Sequence, residues 1–365
     1  LQTPRVGDGD KGHTSEEDGN YVEYYNAGRK KITQDDFELL KVIGRGSFGK
    51  VMMVKKIYPR AVRIKKDADS QKVLDALDDY LESNVDEPMK WLVRFWKDQA
   101  AVMLYKDLRE IVTGETDPES LFEVWFQDYS KMLADKMTPV WTASFRQGWK
   151  NTASFHGINI VSSEVQVRSW IMERTGELIT NCCQEQIKAV RYLIAESETL
   201  HMSSAETARY IRPTIGLTER QAEANLKHYN AVKEKLRAEH PRMKPETIEQ
   251  RARASAAKYA EKQQRYRAET IARTEIAQAY NEGTDAFIRD AMERDEMPEM
   301  KKVWSTAKNS DNVCEACKAL EGKRIGMDED FEAKSGRKTI TKSVPPLHPR
   351  CKCAVKYVEV RDEDI

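Results

Sequence analysis

Two short cysteine motifs near the C-terminus constrain this chain more than any other feature. Cys314-Glu315-Ala316-Cys317 and Pro345-Pro346-Leu347-His348-Pro349-Arg350-Cys351-Lys352-Cys353 hold four of the six cysteines. A CxxC turn offers two sulfurs on one side, and His348 and Cys351 are again three apart, so they too can converge. Four such donors suit a tetrahedral metal clip. Pro345, Pro346 and Pro349 stiffen the chain around His348. The candidate ligands are Cys314, Cys317, His348, Cys351 and Cys353, one more than a tetrahedron takes. Spacing leaves open whether His348 or Cys353 fills the fourth place. The expected metal is zinc in a structural role, because four protein ligands leave no open position for catalysis. The plain alternative is a packed turn with free or oxidised cysteines.

Compartment weighs on that choice. No apolar run approaches the roughly 18 residues of a membrane span, and no signal-peptide pattern opens the chain. The expectation is a protein made and kept in a cytoplasm, away from membranes. Thiols stay reduced there, which favours metal over disulfide.

The chain is polar, with a mean hydropathy of -0.71 and 33% charged residues. Sixty basic and sixty acidic residues cancel, so net charge points to neither nucleic acid nor membrane. The distribution is uneven. Lys227 to Arg273 holds thirteen Lys/Arg against six Asp/Glu, and Lys301 to Val358 holds thirteen against seven. At 365 residues the chain has room for two domains.

The order of elements reads as follows. Leu1 to Asn20 is rich in Gly, Asp and Glu, and residues 1–30 are expected to be a disordered tail. From Lys65 the apolar spacing is helical, through Val73, Leu74, Leu77 and Leu81. Pro88 opens a helix that is expected to continue through Leu104 and Leu108 to Gly114. Asp117-Pro118-Glu119-Ser120 starts the next, with Pro139 and Gly148 as punctuation. A break spans Phe155 to Val161, and helix resumes from Ser163. Cys182 and Cys183 sit mid-helix and read as inert apolar thiols. Ser203 to Glu206 is a capping signal, and Gly216 to Ala222 starts another helix. After the Pro241 to Pro245 loop, Glu246 to about Asp295 is one long helix, or two with a break near Gly283. Its cations Arg251, Arg253, Lys258, Lys262, Arg265, Arg267 and Arg273 do not form a single stripe. They read as a solvated basic face, or as a DNA or portal contact. Met300 to Trp304 and Lys323 to Met327 read as short strands, and residues 332–344 as a loop. The fold class is mainly α: an elongated helical body over 65–245 and a small α+β C-terminal Cys/His module within 246–358.

A resemblance joins these parts. Ile271-Ala272-Arg273-Thr274-Glu275, Asn281, Gly283, Trp304, Cys314, Cys317, Leu320, Gly322, Phe331 and the PPLHPxCxC run are similar in kind and order to the phage head morphogenesis family, the Mu F-like minor head proteins. Gly216-Leu217-Thr218-Glu219-Arg220-Gln221-Ala222 with Tyr229 extends it upstream. The resemblance implies a minor capsid protein needed for head assembly, inside the virion head after assembly in the host cytoplasm. It also implies association with the portal protein, with other capsid or scaffold proteins, and with double-stranded DNA during packaging or ejection. Glu275 reads as a buried salt bridge, or a cap that docks the module on the helix, ahead of a general base. A metal-dependent nuclease of the HNH style is the alternative from another class. It lacks further histidines, since only His348 follows His240.

A second resemblance covers residues 31–64. Asp36 to Ile43 followed by Gly44-Arg45-Gly46-Ser47-Phe48-Gly49-Lys50-Val51 is similar to the glycine-loop hairpin that starts an AGC-type protein kinase. Ala61-Val62-Arg63 puts Arg where the phosphate-pairing Lys is expected, and these are not interchangeable. The chain contains no HRD and no DFG, so the base and metal ligands of phosphoryl transfer are missing. The segment reads as a kinase-like fragment, with an ATP-binding module as a lesser alternative. Isothermal titration with Mg-ATP is expected to show no binding. Micromolar binding that is lost on Gly46→Asp would contradict this.

Overall fold

The computed structural model describes residues 37–46, 49–56, 68–306, 313–336 and 338–360, the first two segments as backbone. β1 (Phe37–Gly46) and β2 (Gly49–Lys56) pair antiparallel, from Phe37↔Lys56 to Gly46↔Gly49. This is the hairpin that the glycine motif predicts. The expected tail over 1–30 and the Ala61-Val62-Arg63 position lie outside the described residues.

The rest is helical up to a small β module. α1 (Ala68–Asn84) and α2 (Asp86–Val102) come first, with Pro88 in the first turn of α2. α2 does not run on to Gly114 as its apolar residues suggest. The backbone is extended at Met103 and Leu104, and α3 (Tyr105–Val112) begins afresh. The reason is tertiary. The Arg212 guanidinium donates to the carbonyls of Ala100 (2.6 Å) and Ala101 (2.8 Å). It replaces the amides that a continuing helix would supply.

α4 (Ser120–Met132) passes through a π-turn at Leu133–Met137 into α5 (Thr138–His156). Pro139 lies in the first turn of α5 and ends nothing. Gly157, at φ 71°, caps α5 as the break there predicts. α6 (Glu164–Thr199), α7 (Ser204–Ile211) and α8 (Glu219–Glu239) each open on a complete capping box: Ser163 with Gln166, Ser203 with Glu206, and Thr218 with Gln221. Each cap contributes about 1 kcal/mol by satisfying amides that have no helical partner.

α9 (Pro245–Glu293) is a single helix, about 74 Å long at 1.5 Å per residue. Its N-terminal half shows one buried face of small residues: Ala252, Ala256, Ala260 and Ala268. From Ala272 to Ala291 it is buried on nearly every side, including Tyr280, Phe287 and Ile288. α5 crosses this half at backbone contact. A Cβ on Gly148 would lie 1.9 Å from the Tyr280 carbonyl oxygen, and one on Gly283 would lie 1.9 Å from that of Phe145. Gly148 therefore does not punctuate α5, and Gly283 does not break α9. Both are where two helix backbones touch. Nearby, Trp149 meets Phe287 edge-on at 5.5 Å, and Asn151 donates to Tyr280 Oη at 2.7 Å.

The C-terminal module follows. β3 (Met300–Ser305) is central in a sheet of order β4-β3-β7, with β4 (Arg324–Gly326) and β7 (Ala354–Glu359) antiparallel to it. α10 (Glu315–Leu320) stands between β3 and β4 in the chain. Residues 332–344, expected as a loop, belong mostly to a hairpin of β5 (Phe331–Ser335) and β6 (Lys338–Lys342). The correction has a simple cause. Phe331 and Ala333 are buried while Glu332 and Lys334 face out, so a polar stretch alternates as a half-buried strand does. No described helix is long and apolar enough to cross a membrane.

Replacing Gly148 by Ala forces a methyl group into a carbonyl of α9. The expected loss is about 3 kcal/mol, at the upper end for overpacking, read as a lower urea midpoint. A midpoint within error of wild type would show that the crossing has slack.

Candidate metal centre

The five predicted donors come together. α10 begins at the CxxC turn, and Cys314 is its N-cap, accepting from the Cys317 N–H at 3.4 Å. His348 Nε2 lies 3.2 Å from Cys314 Sγ and 3.2 Å from Cys317 Sγ. Cys317 Sγ lies 3.7 Å from Cys351 Sγ. Cys314, Cys317 and His348 form one group whose donor atoms all fall within 4.8 Å of one another, and Cys317, Cys351 and Cys353 form another. Cys317 belongs to both.

This donor set could hold a metal ion. Bonds of about 2.3 Å to sulfur give a tetrahedron with sulfur–sulfur edges of about 3.8 Å, close to the Cys317–Cys351 separation. The imidazole supports the fit. His348 Nδ1 lies 2.8 Å from the Pro349 carbonyl, which can only accept, so Nδ1 carries the proton. Nε2 is then the nitrogen that faces the sulfurs, and in the neutral ring it would offer its lone pair there, as a metal-ligating histidine does.

The local electrostatics match a thiolate site. A hydrogen bond from the Cys317 thiol, outweighing burial and aided by His348, holds Cys314 down at about 4. Hydrogen bonds from Cys317 and Cys353 pull Cys351 well below the thiol range. Cys317 is the donor in this set and is pushed up, first by Cys314. Burial lowers His348, but the bond to Cys314 and the charge on Cys351 win and raise it to about 9. Cys182 and Cys183, by contrast, are buried in the helical core, where desolvation pushes them up to about 11 and 12.

The residues around the cluster build the module's core. Trp304 and Phe331 are fully buried and meet edge-on at 5.0 Å. Leu320 is buried beside them, and Gly322, at φ 72°, turns the chain so that its N–H donates to the Trp304 carbonyl at 2.9 Å.

Glu275 is a buried salt bridge, but its partner is not in the module. Arg174 of α6 grips it with Nε (2.8 Å) and Nη2 (2.5 Å), so the pair ties α9 to the helical body. The module is docked by neighbours instead. Thr274 Oγ1 accepts from the Arg350 N–H at 3.1 Å, and Glu269 accepts from both Arg273 and Arg350 at 3.0 Å. A second polar seam lies nearer the end of α9. Tyr357 donates to Asp285 at 2.7 Å, and Arg289 joins Asp285 to Asp328. Lys302, fully buried in β3, donates to the Glu329 carbonyl at 2.6 Å. Sequence reading missed Arg174, Glu269, Asp285 and Lys302, for their partners lie far away in the chain.

The seven cations of α9 divide. Arg267 is buried, donating to the Gly216 carbonyl at 2.6 Å with its guanidinium over Trp96. Arg253 and Arg273 are half-buried and paired with Glu249 and Glu269. Arg251, Lys258, Lys262 and Arg265 are exposed, and none has an ion-pair partner among the described residues. At about 100° per residue these four fall within a sector of about 60° and span about 21 Å. They form the single stripe that all seven do not.

Glu275→Gln would leave the Arg174 charge poorly compensated and should cost about 3 kcal/mol in a urea titration. A change below about 0.5 kcal/mol, typical of an exposed pair, would mean that water reaches the bridge.

The comparisons with known proteins fall into two regions. In the N-terminal region the chain is 46% identical over 50 residues to Ribosomal protein S6 kinase 2 alpha of Gallus gallus, covering 14% of this chain and 7% of that protein. It is 62% identical over 32 residues to Protein kinase 2 of Dictyostelium discoideum, covering 9% and 7%. It is 60% identical over 35 residues to Serine/threonine-protein kinase YPK2/YKR2 of Saccharomyces cerevisiae, covering 10% and 5%. The chain thus spans less than a tenth of each of these relatives. No solved structure matches. Residues 244–356, from the start of α9 into β7 and including all five donors, match the family model described as Phage Mu protein F like protein.

Proposed function

We propose that this chain is a phage head morphogenesis protein, a minor capsid component that works by binding and turns nothing over. The observation that carries this reading is the match of residues 244–356 to the Phage Mu protein F like family. That range is the unit built by α9 and the Cys/His module. On this reading the protein assembles in the host cytoplasm and ends in the virion head. The helical body contacts the portal protein and other capsid or scaffold proteins.

The metal in this reading is zinc, bound once per chain with a structural role. Zinc supplies a fixed tetrahedral junction for a module with a small core, so its binding energy is folding energy. An HNH-style nuclease is less well supported. Such chemistry needs further His or Asp/Asn groups, and the donor cluster contains one imidazole among the described residues.

Double-stranded DNA is the partner suited to the exposed stripe of Arg251, Lys258, Lys262 and Arg265. Replacing all four by Gln should weaken binding and flatten the dependence of log K on log salt by about three to four units, near 0.9 for each phosphate no longer neutralised. An unchanged slope would place the DNA contact elsewhere. Head assembly itself is tested by complementation. Cys314→Ser should give unassembled or defective heads in place of infectious particles. Normal particle yield from a phage carrying only that variant would contradict the assignment.

A further inference from the structure

The segment that brings in the last three donors alternates two chemistries. His348, Cys351 and Cys353 join the sulfur cluster. The two cations between them, Arg350 and Lys352, are directed at the helices. Arg350 donates its N–H to Thr274 and its guanidinium to Glu269, and lies 5.0 Å from the Tyr266 ring centroid. Lys352 reaches Asp78 of α1 at 2.6 Å. Residues 348–352 are thus a strap, with the donor cluster on one side and α9 and α1 on the other.

The backbone of the strap is held in an unfavourable form. Arg350 has φ 60°, a left-handed conformation that a residue with a Cβ rarely adopts. It sits in a turn closed by the Cys351 N–H on the His348 carbonyl at 3.1 Å. The conformation that turns His348 and Cys351 into the cluster is the one that turns Arg350 onto α9.

We propose that a divalent metal held by Cys314, Cys317, His348 and Cys351 is a latch that seats this strap on α9 and α1. The proposal rests on the metal reading above and goes further in naming the ligands and what they control. His348 is chosen over Cys353 on two observations. Its Nε2 is equidistant from both sulfurs of the CxxC turn, and its Nδ1 proton is committed to the Pro349 carbonyl. Cys351 and Cys353 both group with Cys317 and not with the Cys314–His348 side, and Cys351 is taken as the fourth ligand because its Sγ lies 3.7 Å from Cys317 Sγ, the edge of a tetrahedral site. Closing the metal site fixes the left-handed turn, and the fixed turn presents Arg350 to Thr274 and Glu269. The coupling must be reciprocal: removing the docking bonds weakens metal binding.

The test uses the full chain. Cobalt(II) replaces the bound metal, and its thiolate absorption reports how many sulfurs ligate. Cys353→Ser should leave the band intact, and His348→Ala should lose it or alter its ligand-field pattern. The reverse result overturns the ligand set. Thr274→Val and Glu269→Gln lie outside the cluster and test the latch. Both should keep about one metal per chain, while affinity in chelator competition falls about five-fold or more and the Arg350 amide exchanges faster. Unchanged affinity and exchange in both variants overturn the latch and leave the metal site standing. Absence of metal from wild-type protein, with no uptake of zinc or cobalt, removes the metal reading itself.

Discussion

Two helix backbones meet in direct contact, and the rest of the structure depends on that crossing. α5 and α9 meet where Gly148 faces the Tyr280 carbonyl and Gly283 faces the Phe145 carbonyl. Each glycine costs about 1 kcal/mol of helix propensity against alanine. The return is a crossing tight enough to bury the second half of α9 on nearly all sides. That position decides where everything downstream can go. Leu74, Leu77 and Leu81 of α1 pack with Ala272, Ile276 and Tyr280 of α9 and with Ala354 of β7. The α+β module is therefore seated on a surface that the helical body supplies, and α9 belongs to both.

Apolar packing alone would let such a helix slide by a turn. The polar groups along α9 resist that. Glu275 needs Arg174, Asp285 needs Tyr357 and Arg289, and Glu269 needs Arg273 and Arg350. These pairs are poor sources of net stability, since desolvation offsets much of their attraction. A shifted register, however, would leave a buried charge without its partner, at several kcal/mol. The three groups sit at successive levels along one helix, so they fix its register against α6, β7 and the 348–352 strap together.

Much of this is legible in the sequence, and most of the misses share a cause. Ser163, Ser203 and Thr218 announce their helices because a cap is a local interaction, complete within four residues. The Cys/His cluster is legible as a candidate because CxxC and HxxC spacing is also local. Gly148 reads as punctuation until its partner is known to be the Tyr280 carbonyl, 132 positions away. The end of α2 is set by Arg212, more than a hundred residues on. The cations of α9 look scattered because Arg253, Arg267 and Arg273 are structural. Only burial separates them from the four that make a stripe. The β5–β6 hairpin is a different kind of miss. Its alternation is present in Phe331, Glu332, Ala333 and Lys334, but the low hydrophobicity of the stretch masks it.

The central claim is that α9 is a shared beam, free on its outer face in the first half and clamped by body and module in the second. Amide hydrogen exchange along α9 in the full chain tests it most directly. Amides from Ala272 to Ile288 should be among the slowest in the molecule and exchange only with global unfolding, while those from Arg251 to Lys262 exchange through faster local opening. Equal rates along the whole helix, or faster exchange around Gly283, would contradict the account.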